Sequence, residues 1–255
     1  PWLAAVYAWN PLVVIEVASS GHADPLAVFF LVLSVCFIIR ERSGMSLSAL
    51  ALSAAARLFP VVLLPAYSAR ARGRHLLAGA ALLGLSFAPY AHVGSRMFAG
   101  LTTYAENWDY NSVVFPALRW ILERCLPGEA LKGLITQVKG ALGDPAWSEI
   151  LYRLAWPATL ARGLLFVALV AGVFSISARV SRVERELLLA ISLLLVLSPT
   201  LHPWYLLWVL PFAALEDAYH HLGLMSNLAA AREAWDAVVV REPLAAAQPQ
   251  PAAAL

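Results

Sequence analysis

The chain has 255 residues, 61% of them hydrophobic and 13% charged. Soluble domains run nearer about 45–50% apolar and about 25% charged, so the composition points to one body embedded in a membrane through several helices. The net charge of +2 comes in short clusters and excludes a nucleic-acid-binding surface. The apolar content excludes a disordered chain. Two cysteines, Cys36 and Cys125, exclude a disulfide scaffold and read as free small side chains.

Lys132 and Lys139 are the only lysines, and every other basic residue is Arg. That usage fits a GC-rich bacterial coding sequence. Pro1 opens directly into an apolar run with no basic segment before it. This is not the pattern of a signal peptide, and it reads as a start inside a longer protein.

In chain order, residues 1–9 read as the end of a helix. Residues 24–39 form an apolar run just long enough to span. Residues 45–67 form a longer run, interrupted by Pro60 and Pro65. Residues 75–94 form another, with Pro89 near its end. Residues 95–157 are of mixed character, with Trp108, Trp120 and Trp147 among scattered charges. They read as an extracytoplasmic cap of amphipathic helices at the interface. Residues 159–178 are a clean apolar run. Residues 187–215 are apolar except around Ser198–Pro203. Residues 216–241 are mixed and read as an amphipathic helix, and residues 243–255 as a disordered Ala/Pro tail. The expected fold is all-α: a polytopic membrane bundle over 1–215, followed by a polar tail over 216–255.

Charge sets the orientation. Arg40 and Arg42 follow the first run, Arg70, Arg72 and Arg74 the second, and Arg179, Arg182 and Arg185 the fifth. Cytoplasmic loops collect Arg and Lys, so all three clusters are placed inside. The run 45–67 then has basic residues at both ends and cannot cross once. It is expected to enter, break near Arg57–Pro60 and return, which is tolerated where the freed backbone faces protein or a watery cavity. A single crossing that violates the charge rule is the alternative. Residues 187–215 are expected to rise, turn at Ser198–Pro203 and descend toward Glu216.

This topology gathers Glu16, His22, Asp24, Asp109, Asn111 and His202 on or near the outer face, with Arg57 at the break. Charged groups at the membrane centre cost about 2.5–3.5 kcal/mol each on insertion scales, so such residues tend to line a cavity. Asp24 precedes Pro25 and can be an N-cap, or it or Glu16 can act as a general base or sugar-binding group. Arg57 can pair with a carboxylate or snorkel. It can also hold a lipid phosphate through two hydrogen bonds. Asp109 and Asn111 can cap a surface helix or bind sugar hydroxyls beside Trp108 or Tyr110. His202 is a turn residue, or it moves a proton or binds a leaving phosphate, with Trp204 and Tyr205 beside it as donor- or acceptor-binding residues. No Cys/His metal spacing, Gly-rich phosphate loop or GxSxG elbow is present, so no metal and no cofactor are expected.

The segments WNPLVVIEVASSGHADPLAV, AARLFPVVLLP, ENWDYNSVVF and SPTLHPWYLLWVLP occur in that order. Together they resemble the bacterial polyprenol-phosphate-mannose-dependent mannosyltransferases and their relatives in glycosyltransferase family 87, of the GT-C class. The resemblance covers roughly residues 1–215. It implies transfer of a hexose, most often mannose, from a polyprenyl-phosphate carrier to a glycolipid or polysaccharide acceptor. The reaction would take place at the outer face of the bacterial plasma membrane. It also implies that an acidic residue in an upstream outer loop is the main general base, that His202 matches a family histidine, and that Arg57, where the family commonly carries Lys, contacts the donor phosphate. The polar tail after Glu216 departs from the family, which continues there with further spans. A lipid or sugar flippase and a non-catalytic membrane subunit are the competing readings. An enzyme is expected to bring Arg57, Asp24 and His202 to one cavity open to the outer leaflet. Scatter of the three into different environments is the outcome on which the enzyme reading fails.

Overall fold

A computed structural model of the chain describes residues 7–143 and 147–217. The predicted tail from 218 onward and most of the predicted helix end at 1–9 lie outside the described residues. Among the described residues the fold is all-α, with no strand beyond isolated bridges at Thr200.

The chain enters through the short helix α1, Pro11–Val14. Asn10 caps it by accepting from the Leu12 amide at 2.9 Å, and Pro11 takes the first position, where no amide partner is needed. A π-helical turn, Ile15–Ser19, follows. Gly21 then adopts φ +67°, a conformation open to glycine without a Cβ penalty.

Helix α2, Asp24–Ile39, is uniformly apolar and buries Ala27, Leu31 and Val35. It ends in a Schellman turn: the Arg42 amide donates to Phe37 O and the Glu41 amide to Ile38 O. Glu41 occupies the left-handed position at φ 60° where glycine is usual. The chain turns back at once into α3, Ser43–Ala56.

Helices α2 and α3 pack closely because their facing residues are small. Ser53 Oγ donates to Ala27 O at 2.6 Å, and Ser46 Oγ donates to Ser34 O at 2.9 Å. Small and hydroxylated faces of this kind let two backbones approach in an apolar medium.

At Arg57 the helix stops. Its backbone is extended (φ −152°, ψ 133°), and Phe59–Leu63 continue as a 3-10 helix into α4, Leu64–Ser68. The descending arm ends at Arg70, which reaches Glu186 at 2.6 Å and the carbonyl of Ser181 at 2.7 Å. Arg42 and Arg70 line the same recess. The segment 43–70 therefore leaves the basic end and returns to it, as the charge argument predicts.

Helix α5, Gly73–Phe87, rises against α3. A Cβ on Gly79 would lie 3.2 Å from the carbonyl oxygen of Leu47, so glycine sets this approach. A 3-10 stretch, Ala88–Phe98, is kinked at Gly94 (φ 63°). Four short helices then form the stretch read from sequence as a cap: α6 (Ala99–Asn107), α7 (Val114–Cys125), α8 (Gly128–Leu142) and α9 (Trp147–Ala155). Trp108, Trp120 and Trp147 are all exposed there.

Helix α10, Pro157–Arg179, runs back to the basic end, and α11, Val183–Leu197, rises from it. The chain turns over Ser198–His202, passes through a 3-10 helix, Pro203–Trp208, and descends until Glu216 pairs with Arg182 and Arg185. The arms and apex of the predicted 187–215 hairpin are all present.

The core lies between α2, the broken hairpin, α11 and the descending arm, where Leu31, Leu63, Tyr67, Leu187, Ile191, Leu207 and Phe212 are fully buried. Among the described residues, two helical stretches are long and apolar enough to cross a membrane, Gly73–Tyr104 and Pro157–Arg179. Helices α2 and α3, with 16 and 14 residues, fall short of that length.

Candidate functional site

The end of the bundle opposite the Arg clusters is built by pairing two distant segments. The Tyr110 amide donates to Pro199 O at 3.2 Å, and the Leu201 amide donates to Tyr110 O at 2.8 Å. Thr200 Oγ1 donates to Trp108 O at 2.9 Å. Asn111 sits at φ 54° beside Thr200, a conformation that Asn tolerates better than most residues. These bonds fix Trp108, Asp109 and Tyr110 around His202, and the four residues line an open recess of about 400 Å³.

His202 is extended because it precedes Pro203. Its ring is 8% exposed as a residue and touches Trp204 (4.3 Å, nearly parallel), Tyr110 (5.6 Å) and Tyr205 (5.4 Å, edge-on). Loss of solvent, followed by the nearby His22, pushes its pKa below the ordinary value. His22 stacks on the other face of Trp204 at 4.1 Å, and its Nε2 lies 3.3 Å from Glu16.

Both faces of Trp204 are therefore covered by imidazoles. Trp204, expected beside His202 as a donor- or acceptor-binding residue, is the spacer of a His–Trp–His stack. Trp108 and Tyr110 keep exposed aromatic surface. Asp109 is held by Arg119 at 3.3 Å at the rim, and Asn111 serves the backbone turn.

A second aromatic column stands beside the first. In a 3-10 helix, residues three apart eclipse, so Tyr205 lies over Trp208 at 4.3 Å. Phe59 closes the other side of Trp208 at 3.9 Å. Trp208 Nε1 donates to Asp24 Oδ1 at 2.9 Å, and Arg57 Nη2 donates to Asp24 Oδ2 at 2.7 Å.

Asp24 is completely buried with both oxygens occupied. The N-cap position belongs to Ala23, and the Asp24 side chain does not cap. The carboxylate is also sealed from solvent, so an acceptor hydroxyl has no path to it. Its geometry is that of an anchor for Arg57, and the capping reading and the general-base reading both give way to it.

Arg57 is half exposed on its other side. There it lines a largely apolar recess of about 490 Å³ with Phe59, Tyr104, Leu195, Tyr205 and Trp208. Its Nε is buried and has no hydrogen-bond partner. Tyr104 and Tyr205 join hydroxyl to hydroxyl at 2.7 Å in the same recess.

The three residues expected to share one cavity do not. His202 lines the aromatic recess, Arg57 lines the apolar one, and Asp24 lines neither. Tyr205 connects the two recesses, touching the His202 ring and lining the Arg57 side. The enzyme reading therefore fails in its expected form, with Arg57, Asp24 and His202 at one cavity.

Sequence reasoning missed Tyr104, Thr200 and Trp208. The i, i+3 spacing of Tyr205 and Trp208 was the available signal for the last. Among the described residues no group of three or more His, Cys, Asp or Glu could hold a metal ion. Comparison of the chain with family models, with curated proteins and with solved structures finds no match.

Proposed function

We propose that the chain is the membrane-embedded part of a glycosyltransferase that takes a sugar, of which mannose is the first candidate, from a polyprenyl-phosphate carrier. The acceptor is a glycolipid or polysaccharide at the extracytoplasmic face. The observation that carries this reading is the setting of Arg57. A buried carboxylate holds one edge of its guanidinium, and the half-exposed side chain lines an apolar recess with a tyrosine pair. That is the chemistry of a phosphate head on a lipid tail.

Membrane placement is supported by the outer faces of the helices. Leu77, Phe166, Val167 and Phe174 are all more than half exposed, and contiguous apolar surface of this kind is costly in water. Two helical stretches among the described residues have the length and composition to cross.

In this reading the acceptor sugar lies on Trp108 and Tyr110. Its hydroxyl oxygen attacks the anomeric carbon of the donor, and the carbon–oxygen bond to phosphate breaks. The electron pair leaves with the phosphate, which Arg57 and the Tyr205 hydroxyl stabilise. His202, neutral near pH 7 because its pKa is lowered, takes the acceptor proton. Asp24 acts through Arg57 as a positioning residue.

The test uses the protein in lipid nanodiscs with labelled polyprenyl-phosphate-mannose. Arg57→Gln is expected to weaken donor binding about ten- to hundredfold, the worth of a charge-assisted hydrogen bond. His202→Ala is expected to bind donor normally and to lose transfer. Unchanged donor binding in Arg57→Gln overturns the phosphate assignment, and undiminished transfer in His202→Ala removes His202 from the reaction.

A further inference from the structure

A second polar recess lies at the opposite, basic end of the bundle. It measures about 870 Å³ and is lined by Arg42, Arg70, Arg72 and His75, with Glu41 as its one carboxylate. Arg70 is committed to Glu186 and the Ser181 carbonyl. His75 is held by Ser43, whose Oγ lies 2.7 Å from Nδ1. The side chains of Arg42 and Arg72 make no hydrogen bond or ion pair among the described residues. The Schellman turn through Glu41 fixes the position from which Arg42 projects. The recess therefore holds two uncommitted guanidinium groups on a rigid frame.

An apolar groove begins one helical turn away on the same two helices. It measures about 610 Å³, runs between α3 and α5 past Leu47, Leu76 and Ala80, and has almost no polar lining. Its floor is the close approach of Gly79 to Leu47. A cationic recess with an apolar groove on the same two helices matches a phosphate diester carrying acyl chains. Basic pockets between spanning helices on the cytoplasmic side have this character.

We infer that this end of the bundle binds one anionic phospholipid, its phosphate between Arg42 and Arg72 and an acyl chain in the α3–α5 groove. The inference rests on the membrane placement proposed above and is independent of the transferase site.

The experiment titrates the purified chain in uncharged detergent with phosphatidylglycerol and with phosphatidylcholine of the same acyl chains, read by native mass spectrometry. Phosphatidylglycerol is expected to bind about tenfold or more tightly than phosphatidylcholine, since each basic side chain near a lipid phosphate contributes several-fold. The Arg42→Gln/Arg72→Gln variant is expected to reduce that preference to within about twofold. Ala80→Phe, which fills the groove without touching charge, is expected to weaken both lipids.

Equal binding of the two lipids, or a preference that survives Arg42→Gln/Arg72→Gln, overturns the inference. Inorganic phosphate that displaces phosphatidylglycerol at equal concentration would overturn the lipid occupant in favour of a soluble anion. Membrane pelleting of the expressed chain is the separate control. A chain left in the supernatant sinks the membrane reading itself, whereas a chain that pellets and shows no lipid preference sinks only this site.

Discussion

Replacing Asp24 by Asn distinguishes an anchoring carboxylate from a catalytic one. The carboxylate is fully buried and accepts one bond from Arg57 at 2.7 Å and one from Trp208 at 2.9 Å. Asn has a single acceptor oxygen, so one of the two donors must face an NH2 group. Breaking a fully buried ion pair costs about 3–5 kcal/mol. Arg57 is 41% exposed and can recover part of that loss by turning to solvent, which brings the expected cost to about 2–3 kcal/mol. The assay is a double-mutant cycle by reversible unfolding in detergent, using Asp24→Asn, Arg57→Gln and the pair. Residues joined this way show coupling of about 1–3 kcal/mol, so the second substitution should cost much less once the first is made. Additivity within about 0.5 kcal/mol would refute the anchoring argument. Loss of sugar transfer in Asp24→Asn with no such coupling would restore it as a base.

Two further outcomes follow from close contacts elsewhere. Gly79→Leu places a side chain against the Leu47 carbonyl, 3.2 Å from the first carbon added, and is expected to destabilise by about 1–3 kcal/mol. A loss below about 0.5 kcal/mol in thermal unfolding would mean that α3 and α5 are not held at this distance. His202 has a folded pKa below its ordinary value of 6.5. The unfolded chain therefore binds more protons between the two values, and stability rises with pH through that window. The contribution is fully present above 6.5 and is lost as pH falls toward the folded pKa. In His202→Gln the slope between the lowered value and 6.5 should vanish, and a slope that persists assigns it to another group.

Much of the fold was legible because charge and apolar length act together. Basic residues at both ends of 45–67 required a return, and the break falls at Arg57, within the expected interval. The same logic placed Glu216 near the cluster that follows α10, and it pairs with Arg182 and Arg185. The bounds of the first run also read out, since α2 covers 24–39. What its composition overstated was reach, because α2, with 16 residues, falls short of a spanning length. Its close partner is the α3 side of the hairpin, whose serines and alanines carry no strong apolar signal. Packing of small residues depends on which faces meet, and α2 and α3 bury their small residues against each other.

The site was legible as a set and illegible as a geometry. Counting polar residues per face grouped His22, Asp24, Asp109 and His202 at one end. Their partners could not be counted in the same way. The Trp208–Asp24 bond joins residues 184 apart in sequence, and it decides whether Asp24 is free to react. Likewise Trp204 reads from sequence as a binding residue beside His202, and its place between the His22 and His202 rings is not visible there. In both cases the residue type predicts an interaction, an acid with a donor or an indole with a ring. Which interaction forms is set by the 3-10 turn at Pro203–Trp208, whose three-residue period sends Tyr205 and Trp208 to one column and Trp204 to the other. Lengthening that turn to a regular α-helix would rotate Trp208 away from Asp24 and leave Arg57 without the second support of its anchor. The short turn is therefore the element on which the position of the guanidinium depends.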